Sequence, residues 1–199
     1  MTNCCPSWAA RPSGLAELAA VDVTIGLLGA ADEREFTAAA RASRELHRPW
    51  LFPPDTPEQF AAYLARAARD DHAVYLIRHT GCGGLAGYVS INNIVRGALQ
   101  SGSVGYGAFA GHEGRGLMSQ GLRAVLDEAF GTLGLHRLEA NIQPGNEPSL
   151  RLARRAGFQR EGFSPKYLLV DGDWRDHERW AIRAENWGTG GQTTDGSRP

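Results

Sequence analysis

The strongest periodic signal in the chain is an apolar stripe at Leu122, Val125, Leu126, Ala129, Phe130 and Leu133. The spacing i, i+3, i+4, i+7, i+8, i+11 predicts one amphipathic helix from about Leu117 to Thr132, ended by Gly134. A strict alternation follows, with Leu138, Ala140 and Ile142 on one face and Arg137, Glu139 and Asn141 on the other; His136 to Gln143 reads as a strand. Upstream, Val21–Ile25, Ala73–Arg78, Leu85–Val95 and Gly102–Phe109 are strand-like, the last three joined by Gly-containing turns into an antiparallel meander. Asp32 suits the start of a helix reaching about Leu46. Thr56 and Pro57 open a second, with an inner stripe expected at Ala61, Leu64, Ala65 and Ala68. Pro144-Gly-Asn146 is a turn, Pro148–Ala156 a short helix stopped by Gly157, and the rest to about Arg183 a hairpin around Asp171-Gly172. The order β, two helices, three strands, helix, strand, helix, hairpin implies a single α/β (α+β) domain. Its sheet is mixed, mostly antiparallel and twisted, with about seven strands flanked by about four helices. The expected boundaries are a poorly ordered lead-in over 1–20, the domain over 21–186 and a disordered Gly/Thr/Ser tail over 187–199.

Composition narrows the classes. With 199 residues, 42% hydrophobic and 22% charged, the chain has the makings of one full core. A formal net charge of −1 gives no general reason to bind nucleic acid or an anionic membrane. Cys4, Cys5 and Cys82 make no disulfide framework, and no apolar run approaches a membrane span; the expectation is a cytoplasmic protein. His47, His72, His79, His112, His136 and His177 show no metal-ligand spacing, so no metal is expected.

Chemistry concentrates between Gly105 and Met118, where a strand runs through a Gly-rich loop into the strong helix. The first amides of a helix have no internal partner and lie at the positive end of its dipole. Gly111, Gly114 and Gly116 leave them open to a phosphate. The loop lacks the Lys-Ser/Thr of a nucleotide P-loop. Gly105-x-Gly107-x-x-Ala110 matches a dinucleotide fingerprint formally, but the helix begins too late for it.

Glu113-Gly-Arg-Gly-Leu-Met118 resembles the Gln/Arg-x-x-Gly-x-Gly/Ala pyrophosphate loop of GNAT acetyltransferases, departing from it at Glu113 and Met118. The ending Gly-Arg-Gly-Leu-Met is similar to that of the ribosomal-protein alanine N-acetyltransferases. So are Asn146-x-x-Ser149 followed by Arg155-Ala-Gly-Phe158, the hairpin Asp171–His177 and the central strand Ser90–Gly97. Together these cover about residues 21 to 183. The resemblance implies direct acetyl transfer from acetyl-CoA to a primary amine, either the N-terminus of a ribosomal or other protein or a small-molecule amine; a non-catalytic acetyl-CoA-binding module is the alternative. It implies cofactor contacts at Gly107, Ala108, Phe109, Glu113, Gly114, Arg115, Gly116, Leu117, Met118, Ser119, Asn141 and Asn146, with those of Ala108 and Phe109 through backbone atoms. Ser149 is the expected donor to the departing thiolate, although a helix-initiation role would also explain it. Glu139 could relay a proton through water or simply pair with an arginine. Trp50, Phe52 and Phe60 could wall the acceptor site or belong to the core. A homodimer is compatible with the sequence.

Overall fold

The computed structural model describes residues 22–187; the expected lead-in, Val21 of the first expected strand and the expected tail beyond Trp187 lie outside them. Seven strands form one sheet in the order β1-β2-β3-β4-β5-β7-β6. They are β1 (Val23–Leu27), β2 (Ala73–His79), β3 (Leu85–Val95), β4 (Ser101–Ala108), β5 (Arg137–Ile142), β6 (Gln159–Val170) and β7 (Asp173–Arg183). The helices are α1 (Glu33–Ala42), α2 (Arg44–His47), α3 (Pro57–Ala67), α4 (Leu117–Asp127) and α5 (Glu147–Ala156). The β4–β5 pair is parallel, from Ser101↔Arg137 to Val104↔Ala140. The pairs β1–β2, β5–β7 and β6–β7 are antiparallel. The sheet is therefore mixed, as the element order implied.

The chain divides into two compact units, residues 22–90 with Tyr106–Val125, and Ile91–Gly105 with residues 126–187. In the first, α1 and α3 cover an aromatic cluster centred on Phe36. Its ring lies 5.6 Å from Phe60, 6.0 Å from Tyr63, 5.5 Å from Tyr88 and 5.3 Å from Phe109, the last edge-on. Tilted and edge-on contacts are the arrangements that aromatic quadrupoles favour. Phe60 and Tyr63 form the inner face of α3, whereas Ala61, Ala65 and Ala68 are exposed and Leu64 only half-buried. The alanine stripe expected on this helix is thus wrong: the large rings gain more from burial than alanines one position away. Thr56 caps α3 as read, its hydroxyl accepting from the Gln59 N–H at 3.3 Å.

The helix expected from Asp32 to Leu46 is two helices, broken at Ser43. The Ser43 hydroxyl donates to the Ala39 carbonyl at 2.6 Å and accepts the Ala110 N–H at 2.9 Å, so the corner is tied to the chain just beyond β4. One turn on, His47 Nε2 donates to the Ala108 carbonyl at 2.7 Å. The Phe109 N–H donates to Ala86 of β3 at 2.9 Å. Ser43 and His47 are 1% and 3% exposed. Nδ1 of His47 is buried without a partner, so protonating it would place an unsolvated charge in the interior.

On its other side this unit packs α4 against β2. A Cβ added at Gly121 would lie 2.3 Å from Ile77 Cδ1, so the helix sits at the strand only because residue 121 has no side chain. In the second unit β5 alternates as expected, with Leu138, Ala140 and Ile142 buried. The expected helix end at Thr132 also holds, but Glu128–Thr132 is wound as a π turn. The β6–β7 hairpin turns at Asp171 and Gly172, both at positive φ (51° and 81°). No helix among the described residues is long and apolar enough to cross a membrane.

Gly121→Ala is expected to cost about 1–3 kcal/mol of stability in urea denaturation. Ile77→Ala should recover part of that loss, so the double variant should be less than additive. Burial holds His47, His112 and His177 below the ordinary value of 6.5, so the unfolded chain takes up protons that the fold refuses. Their contribution to stability is complete above the unfolded value and is lost as pH falls through the folded ones, whereas the depressed carboxylates lose theirs only at lower pH. The melting temperature should fall as the pH is lowered below about 6.5. His47→Gln, which keeps a donor for Ala108 but cannot titrate, should flatten that slope; an unchanged slope would assign it to the other two histidines.

Candidate active site

Beyond Ala108 the chain turns away from β4 and enters α4 through residues 109–116. Gly114 and Gly116 have φ of +72° and +80°, where an L side chain is strained, and a Cβ built on either would meet nothing within 4 Å. The first helical bond is Gln120 N–H to the Gly116 carbonyl at 3.1 Å. Among the described residues, the N–H groups of Gly116, Leu117, Met118 and Ser119 donate to no carbonyl. These four donors lie at the positive end of a three-turn helix, and the glycines keep the space over the loop clear. The arrangement fits a diphosphate. Exposed Glu113 faces solvent. Arg115 is exposed and held at 3.4 Å from His79 Nε2.

Met118 replaces a small residue of the resembling motif, and the fold makes room for it. A Cβ at Gly87 would lie 2.3 Å from Met118 Sδ and 2.5 Å from the Gly107 carbonyl; the thioether therefore rests on bare β3 backbone. Gly107 is itself required by the Tyr88 ring, 2.8 Å from where a Cβ would be. The backbone contacts expected of Ala108 and Phe109 are largely committed within the protein. Ala108 O accepts from His47, Phe109 N–H serves Ala86, and Phe109 O accepts from His112 at 3.2 Å.

The remaining expected residues lie in the second unit. Asn146 caps α5, its Oδ1 accepting the Ser149 N–H at 3.3 Å. Capping therefore uses the Ser149 backbone and not its hydroxyl. Glu139 accepts from Arg137 Nε at 3.0 Å and from Arg179 at 2.8 Å. Burial pushes the Glu139 carboxyl up, but the hydrogen bonds and charges of these arginines outweigh it, and its pKa is lowered. Asn141 donates to Ser103 Oγ at 3.3 Å, while its Oδ1 is buried without a partner.

Two buried polar residues at the β4 end, Ser43 and His47, escaped the sequence reading. The signal was present: Phe36, Ala40, Ser43 and His47 follow one helical face at i, i+4, i+7 and i+11, so two polar residues extend a core stripe. His47 also borders a cavity of about 560 Å³ beside α1, α2 and α3, with Arg44, Arg48, Phe52, Tyr63 and Arg66 among its walls. Of the aromatics considered for an acceptor wall, Phe52 lines this cavity and Phe60 is core. Among the described residues no group of three or more His, Cys, Asp or Glu could hold a metal ion.

Residues 23–159 match the acetyltransferase (GNAT) domain family. A probable N-acetyltransferase of Bacillus subtilis, YjcK, is 38% identical over 125 residues, which are 63% of this chain and 69% of that protein. The [ribosomal protein uS5]-alanine N-acetyltransferase of Escherichia coli is 37% identical over 106 residues, 53% of this chain and 55% of that one, so the match spans about half of that relative. Among solved structures, Mycobacterium smegmatis RimJ in complex with CoA-disulfide superposes with a TM-score of 0.76 at 29% identity, covering 83% of this chain and 84% of that one. With an amide-lined loop at the start of α4 and a family match across most of its described length, the chain belongs to the GNAT acetyltransferases, enzymes that take their acetyl group from acetyl-CoA.

Proposed function

We propose that this enzyme acetylates the N-terminal α-amino group of a ribosomal or other cytoplasmic protein. The observation that carries the reading is the similarity to the uS5-alanine N-acetyltransferase, coupled with the open amides at the start of α4. Acetyl-CoA supplies an activated acyl group as a thioester. The residues of this chain bind it, orient it and manage the protons. The amides of Gly116 to Ser119 hold the diphosphate, and Gly114 and Arg115 complete the loop. Asn141 and Asn146 are proposed contacts to the rest of the cofactor.

Transfer forms an amide C–N bond and breaks the C–S bond. The attacking amine loses a proton and the departing thiolate gains one. An α-amine titrates near ~8, so a substantial neutral fraction is available without a strong base. That suits Glu139, which its two arginine partners hold as a weakly basic carboxylate; its proposed part is to receive a proton through water. The Ser149 hydroxyl is the proposed donor to sulfur. Its backbone already supplies the helix cap, so Ser149→Ala removes the hydroxyl and leaves the cap in place.

Ser149→Ala should therefore lower kcat by about tenfold or more while leaving the melting temperature and acetyl-CoA affinity nearly unchanged. A normal kcat would remove Ser149 from the chemistry. The acceptor is tested by offering purified enzyme peptides beginning with Ala or Ser alongside spermidine and small amines. Peptide turnover, with mass shifts confined to the α-amine, is expected; turnover of small amines alone would defeat the protein-acceptor reading.

A further inference from the structure

Three guanidinium groups border the cavity beside α1, α2 and α3, and one of them is neutralised. Arg44 pairs with Asp55 at 2.7 Å, and that carboxylate is the cavity's acidic group. The Arg48 guanidinium lies 5.4 Å from the centre of the Phe52 ring, and that of Arg66 lies 5.4 Å from the Tyr63 ring. Among the described residues neither is paired with a carboxylate. Stacking on a ring limits where such a cation can go without satisfying its hydrogen-bond donors. The cavity thus presents two ring-stacked guanidinium groups with no carboxylate partner, beside a wall of mixed polar and apolar residues.

It is also joined to the cofactor side of the same unit. His47 lines the cavity and donates to Ala108 O at the end of β4, one residue before the chain leaves the sheet for the amide-lined loop. We propose that this cavity receives the acceptor, and that Arg48 and Arg66 select a peptide carrying a carboxylate within its first few residues. The proposal rests on the protein-acceptor reading given above and adds the chemical class of the acceptor. The guanidinium fork matches a carboxylate with two parallel hydrogen bonds. Positive charge nearby also favours the neutral, attacking form of the arriving amine over its ammonium. A polyamine, cationic at each nitrogen, meets the same field as repulsion.

The test uses the full chain with acetyl-CoA and three peptides that begin with Ala and differ only at the next two residues, which are Glu, Gly or Lys. The Glu peptide should have the highest kcat/KM, about tenfold or more above the Lys peptide. Most of the difference should lie in KM, and it should shrink as salt is raised. In Arg48→Gln/Arg66→Gln the Glu-to-Lys ratio should collapse toward one, and Arg48→Lys/Arg66→Lys should restore part of it. Thermal stabilisation by acetyl-CoA, read on every variant, confirms that each is folded and binds its donor. Equal rates on the three peptides, a preference for Lys, or a ratio that survives in the double Gln variant would overturn the proposal and leave the protein-acceptor reading intact. Turnover of spermidine with none on any peptide would overturn both.

Discussion

The end of β4 is the constraint on which the first unit depends. Within three residues its backbone is fixed to three different elements: Ala108 O to His47 of α2, Phe109 N–H to Ala86 of β3, and Ala110 N–H to Ser43 at the α1–α2 corner. The Phe109 side chain is driven into the aromatic cluster around Phe36, where it is 1% exposed. A strand that simply frayed into a glycine-rich loop would leave the first amides of α4 pointing in many directions, and ordering them would cost the binding energy of the ligand. Here the departure point is set before any ligand arrives. The flexible glycines then span a short distance between two fixed ends.

That same constraint explains which parts of the fold were legible from sequence. The α4 stripe, the β5 alternation, the Asn146 cap and the Asp171-Gly172 turn are local matters, each specified by residues within one or two turns of one another. All were found within a residue or two. The break at Ser43 is not legible from the apolar pattern, because the hydroxyl that bonds back to Ala39 also takes an N–H arriving from residue 110. The inner face of α3 does not follow its alanine periodicity, because Phe60 and Tyr63 decide the helix's orientation. Strand β1 runs on to Leu27, beyond the expected end at Ile25, because its limit follows the pairing with Tyr75–His79.

The candidate site divides along similar lines. The loop could be read because glycine spacing and a helix start are sequence features with a direct physical meaning. The cavity could not, since its walls come from three helices and from the Pro53-Pro54 connection, and its charge depends on which arginine finds Asp55. Met118 illustrates a departure from a motif that the sequence presents as a defect. In the fold it is a fitted piece, filling space that Gly87 must leave empty because the Gly107 carbonyl passes so close.

The Ser43 hydroxyl has a further consequence for how parts of the first unit are tied together. Ser43 lies in sequence between Ala40 and Arg44, both of the cavity wall, and its hydroxyl holds the backbone that leads into the Gly114–Gly116 loop. Any displacement of that corner would reach Ala110 through a single oxygen. The wall of the cavity and the start of the glycine-rich loop are thus joined at one corner, through one hydrogen-bonded hydroxyl.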